Sequence, residues 1–243
     1  MPFQTPKYEL MLSQRFERQP VRELAFAAEK IFRGYINADV NVANLPPNAP
    51  PPVGRFQMSD GKRTLTVSEI ATQLTLDFGG SAPANHTWGS VLAKPASLMD
   101  QFGAMVTNTK GFVSATLQIT RPYVGDQSAV SEVIASLFNN RFEGDAIASA
   151  YTYATRKDDV VLNVEISQYK FYEFTAQVTD PNAFVGFDMD FAEPSAEGLQ
   201  IKVEVNNKIP LRMFDTMSMA QMVSHLDAAS RNPVANAMIE ATA

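Results

Sequence analysis

An α+β fold is what this sequence predicts: antiparallel meanders with amphipathic helices on one face, a ferredoxin-like first half and a strand-rich second half. Three observations predict it. Between Gly54 and Phe78, three successive segments alternate apolar and polar residues with period two, the pattern of strands with one buried face. Two stretches, 21–35 and 88–106, place apolar residues at three- and four-residue steps, the spacing of one helix face. After residue 146 alternation returns for several segments.

Taken in order, Tyr8, Leu10 and Leu12 alternate with Glu9, Met11 and Ser13 and predict a short first strand. Pro20 suits a helix's first turn, where a missing N–H costs nothing. Behind it Val21, Leu24, Ala25, Ala28, Ile31, Phe32 and Tyr35 share a stripe, with Arg22, Glu23, Glu29, Lys30 and Arg33 on the wet face. Residues 37–53 carry Pro46, Pro47, Pro50, Pro51 and Pro52 and read as a stiff crossover, or else as a docking segment for a proline-recognising partner. Asp60-Gly61 marks a hairpin turn, and Ser68-Glu69 the break before Ile70, Thr72, Leu74 and Leu76. Thr87 is a fair cap for the second helix, in which Pro95 should kink or restart the chain and which Gly111 should end. Val113, Ala115, Leu117 and Ile119 then form another strand. The order so far is β-α-β-β-β-α-β.

In the second half, Ser128–Asn140 predicts a helix, and Ala146–Thr155, Val160–Gln177, Phe184–Phe191 and Leu199–Val205 predict strands. Turns are expected at Arg156–Asp159, Asp180–Asn182 and Ser195–Gly198, and helices around Met217–Ala228 and Pro233–Ala241. Leu162, Val164 and Ile166 share one phase and Tyr169 and Phe171 the other, so a bulge is expected near Ser167-Gln168. The 243 residues suit a single domain, with an α+β half at 1–123 and a strand-rich half at 124–243 as two intimate parts.

Composition excludes several functions. With Cys 0 there are no disulfides, thiolate metal sites or cysteine nucleophiles. The formal net charge of -6, with scattered Lys and Arg, disfavours nucleic acid, whose affinity comes from clustered cations. The first twenty residues lack the apolar core of a signal peptide, and no run has the length of a membrane-spanning helix. A cytoplasmic protein with no membrane contact is the expectation.

The wording of three segments carries a resemblance: LPP at Leu45–Pro47 followed by GRFQMSDGKRTLTV, LQITR at Leu117–Arg121, and FVGFDMDF ahead of a final amphipathic helix. In these the chain resembles a sporadically distributed set of uncharacterised bacterial and phage-associated proteins of about this size. The resemblance covers most of the chain, and it implies a fold pattern without a catalytic residue.

No constellation for catalysis is readable. His86 and His225 are the only histidines, and they lack the spacing of a ligand pair. Asp188 and Asp190 would share a strand face, where two carboxylates could hold a divalent cation or divide acid and base roles. Glu165, Glu173 and Glu204 occupy similar positions, so the pair reads equally as a wetted face. Neither a nucleophile elbow nor a phosphate loop is present. Met213, Met217, Met219 and Met222 suit helix-to-sheet packing, or an adaptable groove.

The run Tyr169-Lys170-Phe171-Tyr172-Glu173-Phe174 puts aromatics on both faces of a strand, with Tyr151 and Tyr153 expected on a facing strand. Tyr169, Phe171, Tyr172 and Phe174 are therefore the candidate interaction residues, because large rings with polar tips suit protein interfaces. A strand covered on both sides by its own chain is the competing reading. The function expected is non-catalytic: binding of a macromolecule, including a homodimer of this chain, without metal or cofactor. The alternative is a small-molecule-binding domain with an apolar pocket between the sheet and the Met/Phe-rich helices.

Overall fold

The computed structural model describes residues 7–14, 21–46, 49–77, 88–106, 110–122, 150–157, 159–171, 196–208 and 217–230. Nine strands and three helices occur among them: β1 Lys7–Gln14, α1 Val21–Phe32, β2 Asn41–Val42, β3 Phe56–Ser59, β4 Arg63–Val67, β5 Ala71–Asp77, α2 Trp88–Val106, β6 Lys110–Pro122, β7 Ala150–Lys157, β8 Val160–Phe171, β9 Ala196–Asn206 and α3 Met219–Ser230. The chain is α+β. All nine strands join one sheet in the order β2-β3-β4-β5-β1-β6-β9-β8-β7, and each pairing is antiparallel. Both halves of the chain thus contribute to one sheet, joined where β6 pairs with β9 from Ser114↔Asn206 to Pro122↔Gly198. The first strand lies between β5 and β6, the two strands that α2 connects. A four-stranded ferredoxin-like sheet is not the unit here, because β2 and β3 extend it at one side and β9, β8 and β7 at the other.

The β3–β4 hairpin follows from its turn chemistry. Ser59 pairs with Thr64, and the Asp60 N–H donates to the Arg63 carbonyl at 3.1 Å, so Gly61 and Lys62 occupy the turn's centre. The Asp60-Gly61 centre expected from sequence is therefore displaced by one residue. Gly61 has φ of 87°, a conformation that glycine adopts without steric cost. Asp60 instead closes the turn with its side chain, accepting from Lys62 N at 3.0 Å and Arg63 N at 2.8 Å. Burial would raise its carboxyl, but the N–H groups of Arg63, Lys62 and Asn37, with the Arg63 guanidinium, outweigh that and hold it below its ordinary 3.8. A depressed folded value means stability that is present above pH 3.8 and is lost as pH falls through the folded value. Asp60→Asn is expected to flatten the acid side of the stability profile in urea titrations taken below about pH 5. An unchanged acid limb would show that the carboxylate's charge contributes nothing.

Ser68 sets the next corner. Its hydroxyl accepts from Ala71 N at 3.0 Å and its N–H donates to Ala71 O at 2.8 Å, the side-chain turn that serine favours. Ile70 falls within this corner and is exposed, while Thr72, Leu74 and Leu76 point inward as their phase requires.

All three helices pack together on one face: α1 beside β2 and β3, α2 against α1 and β1, and α3 against α2, β6 and β9. At the centre Phe102 meets Phe32 and Phe56 edge-on, with ring centroids 6.1 and 6.5 Å apart. Leu10, Leu65, Leu74, Met99, Ala115, Val203, Met222 and Leu226 are buried in the same core. Pro95 is buried within α2, which runs unbroken from Trp88 to Val106, so the expected restart does not occur. Gly111 belongs to β6 rather than ending that helix.

Helices α2 and α3 hold each other's first turns. Asp100 on α2 accepts from Met219 N at 2.6 Å and Ala220 N at 3.2 Å, and Asp227 on α3 accepts from Gly89 N at 3.1 Å. Ser218 and Gln221 add a capping box, with Gln221 N to Ser218 Oγ at 3.1 Å and Ser218 N to Gln221 Oε1 at 2.8 Å. The first N–H groups of α3, which its own carbonyls cannot reach, are thus satisfied.

The other sheet face is not uniformly wet. Gln57 and Ser59 on β3 and Thr152 and Ala154 on β7 are exposed, while Ser114 and Thr116 on β6 and Asn206 on β9 are buried.

Two further expectations change. Residues 196–198, expected as a turn, form the start of β9, pairing with both β8 and β6. No bulge interrupts β8 near Ser167-Gln168: its register with β9 runs unshifted from Val161↔Asn206 to Phe171↔Ala196. A continuous ladder on β9 outweighs the change in hydrophobic phase, so positions 169 and 171 lie on the face opposite Ile166. The expected helices at Ser128–Asn140 and Pro233–Ala241 and the strand at Phe184–Phe191 lie outside the described residues.

Candidate interaction surface

Two of the interaction residues expected from sequence, Tyr169 and Phe171, lie on β8. Tyr169 pairs with Gly198 and Phe171 with Ala196 on β9; Tyr172 and Phe174 lie outside the described residues. The tyrosines of the neighbouring strand do not face them. Tyr151 stands opposite Ile166 and Tyr153 opposite Val164, nearer the hairpin end, where Lys157 meets Val160.

At this end, among the described residues, the sheet runs past the helices. Described helical cover reaches β6 and β9 through α3, and β8 and then β7 follow in the strand order. Val160 and Leu162 still touch the core. On β7, Thr152, Tyr153, Ala154, Arg156 and Lys157 are all exposed, so both of its faces are open, and the Tyr153 side chain remains 50% exposed. Among the described residues no strand pairs with its outer edge.

The far edge is built differently. There β2 is only Asn41–Val42, and Pro46 follows after Ala43, Asn44 and Leu45. Arg55 draws that proline segment onto the sheet by donating to Ala49 O at 3.0 Å and to Glu69 Oε1 at 2.6 Å. The crossover reading of residues 37–53 is what these contacts fit, with the addition of the unexpected β2.

The polar candidates separate. His225 is exposed on α3; His86, Asp188, Asp190, Glu173 and Met213 lie outside the described residues. Glu165 faces Lys202 across the β8–β9 ladder, and Glu204 accepts from Lys208 Nζ and Asn206 Nδ2, both at 3.0 Å, so each is matched by polar neighbours within its own strands. Met219 and Met222 are buried core residues. Among the described residues no group of three or more His, Cys, Asp and Glu side chains is placed to hold a metal ion. No described helix is long and apolar enough to cross a membrane.

One cluster was not read from the sequence. Arg63 lies over the Tyr35 ring at 4.5 Å and Lys94 Nζ at 5.5 Å, and Arg63 Nη1 donates to the Tyr35 carbonyl just past the end of α1. Burial pushes the Tyr35 hydroxyl above its ordinary 10.0, Arg63 pulls it back and Asp60 adds to the rise. A phenol so held stays protonated at neutral pH, and the two cations favour its π face. The arrangement closes the C-terminal end of α1, where cations complement the helix dipole. Its signal in the sequence was faint: Tyr35 continued an apolar stripe, and Lys62-Arg63 was one of several scattered basic pairs. Set against known protein families, curated proteins and solved structures, the chain matches none of them.

Proposed function

We propose that this protein works by binding another macromolecule, a second copy of itself included, and carries out no catalysis. The observation that carries the reading is strand β7, which stands outermost among the described strands with exposed residues on both faces. Unpaired strand edges and exposed aromatic side chains are the usual raw material of a protein contact. The aromatic run Tyr169, Phe171, Tyr172 and Phe174 belongs to the same contact in this reading, which places the protein in the cytoplasm and among the bacterial and phage-associated group that its wording resembles.

The test is to purify the chain gently from its native source and weigh what accompanies it by native mass spectrometry, then to repeat this with Phe171→Ser/Tyr172→Ser. A protein partner or a multiple of the chain mass is expected for the wild type, and a lower mass for the variant with unchanged far-UV circular dichroism. Retention of a small ligand on a monomer would overturn the reading in favour of a small-molecule-binding domain.

A further inference from the structure

The turn between β3 and β4 carries a reactive dipeptide as well as a structural one. Asp60-Gly61 is the single Asp-Gly pair in the chain, and there is no Asn-Gly. In such a pair the glycine's peptide nitrogen can attack the aspartate side-chain carbon, because no Cβ crowds its approach. Here both reacting groups are held elsewhere. The Asp60 carboxylate accepts from Lys62 N at 3.0 Å and Arg63 N at 2.8 Å through Oδ1, and from Asn37 N at 3.4 Å through Oδ2. The Gly61 N–H donates to Ser59 Oγ at 3.4 Å. The backbone around the pair is pinned as well: Asp60 N donates to Arg63 O at 3.1 Å, and the hydroxyls of Ser59 and Thr64 share a hydrogen bond at 2.8 Å. We propose that Asp60-Gly61 is a modification site gated by folding, closed while the hairpin stands and converted to isoaspartate in chains whose hairpin has opened.

The chemistry needs only water. Gly61 N gives its proton to solvent and bonds to Asp60 Cγ, while one carboxyl oxygen leaves as water, so a five-membered succinimide forms. Water then adds to one of the two ring carbonyls, and the bond from that carbon to nitrogen breaks. Opening at the side-chain carbonyl restores aspartate. Opening at the main-chain carbonyl leaves isoaspartate, with the chain running through the side-chain carbon. The departing oxygen must be protonated. Burial alone would favour that form, but the N–H groups of Arg63, Lys62 and Asn37 outweigh it, so the folded turn keeps the oxygen a poor leaving group. Isoaspartate adds one carbon to the backbone between Ser59 and Thr64 and moves the free carboxylate to the other side of the linkage. The bonds to Lys62 N and Arg63 N cannot then re-form as they were, and the altered residue records that the hairpin once opened.

Trypsin cuts after Arg55 and Lys62 and releases Phe56–Lys62, in which aspartate and isoaspartate separate by reversed-phase chromatography. The full chain is kept near neutral pH in heavy-oxygen water, either folded in buffer or unfolded in guanidinium chloride, and is then digested in ordinary water. Each passage through the succinimide leaves a heavy oxygen in that peptide. Label and isoaspartate should both accumulate at least about tenfold more slowly in the folded chain, since the reaction there waits on local opening. Ser59→Ala removes the acceptor of Gly61 N and the bond to Thr64. Folded by circular dichroism, it should narrow that ratio while matching the wild-type rate when unfolded. Equal wild-type rates in the two conditions, or no isoaspartate in either, overturn the proposal, and so does an unchanged ratio in folded Ser59→Ala. The wild-type comparison stands even if Ser59→Ala fails to fold.

Discussion

Phe102→Ala is expected to destabilise the protein by roughly 3–5 kcal/mol, the range for emptying a fully buried aromatic site. The ring is 0% exposed, and it joins the two ends of the first half. Phe32 reaches it from α1 and Phe56 from β3, both at edge-to-face geometry. Alanine would remove both ring contacts and leave a cavity that three rigid elements cannot readily fill. Urea unfolding followed by circular dichroism gives the loss directly, and a midpoint lowered without a change in slope identifies it as lost stability. A cost below about 1 kcal/mol would mean that the helices close over the gap and that the core is less tightly ordered than its burial implies.

Asp100→Ala is expected to cost about 2 kcal/mol, at the upper end for a helix cap because one carboxylate serves two N–H groups. Its partners, Met219 N and Ala220 N, lie 119 and 120 residues away, so the loss loosens a tertiary joint as well as a helix end. Asp227→Ala removes the bond to Gly89 N and should cost about 1 kcal/mol. Gly89 and Asp100 stand about 16 Å apart along α2, at about 1.5 Å per residue, so the double variant should show the sum to within about 0.5 kcal/mol. Asp100→Asn should recover part of the loss, since its amide oxygen can still accept. If Asp100→Ala matched the wild type in urea, water would be an equal cap and the carboxylate would be incidental.

What could be read from the sequence was whatever local patterning controls. The alternation of Thr72, Leu74 and Leu76 against Ala71, Gln73 and Thr75, and the helical stripe through Leu24, Ala28 and Phe32, correctly separated buried from wetted sides. Errors arose where pairing outside the local segment decided the outcome. The phase change between Ile166 and Tyr169 suggested a bulge, yet the unbroken ladder from β9 keeps β8 regular. Pro95 suggested a kink or a restart, and helix α2 continues through it without a restart, with the proline buried. The crossed caps at Asp100 and Asp227 were invisible for the same reason, since an aspartate on a helix surface carries no mark of a partner more than a hundred residues distant. Aromatic residues drew attention to β8, whereas the outermost place of β7 among the described strands follows from strand order, which no single segment records.

The central position of β1 bears on how this chain is made. Strand β6 meets β1 on one side and β9 on the other, and β9 begins only at Ala196, whereas β6 ends at Pro122. A ribosome adding about 5–20 residues per second needs roughly 4–15 seconds to cross that interval. Throughout it the emerging amino-terminal half can already have assembled β1 between β5 and β6, while the far side of β6 awaits its mate. That side carries Ala115 and Leu117 on one face and Ser114 and Thr116 on the other, all buried once the sheet is complete. Translation speed over residues 123–195 therefore sets how long a sticky nascent strand is on view, and slowing elongation there should increase the share of chains captured by chaperones or lost to aggregates.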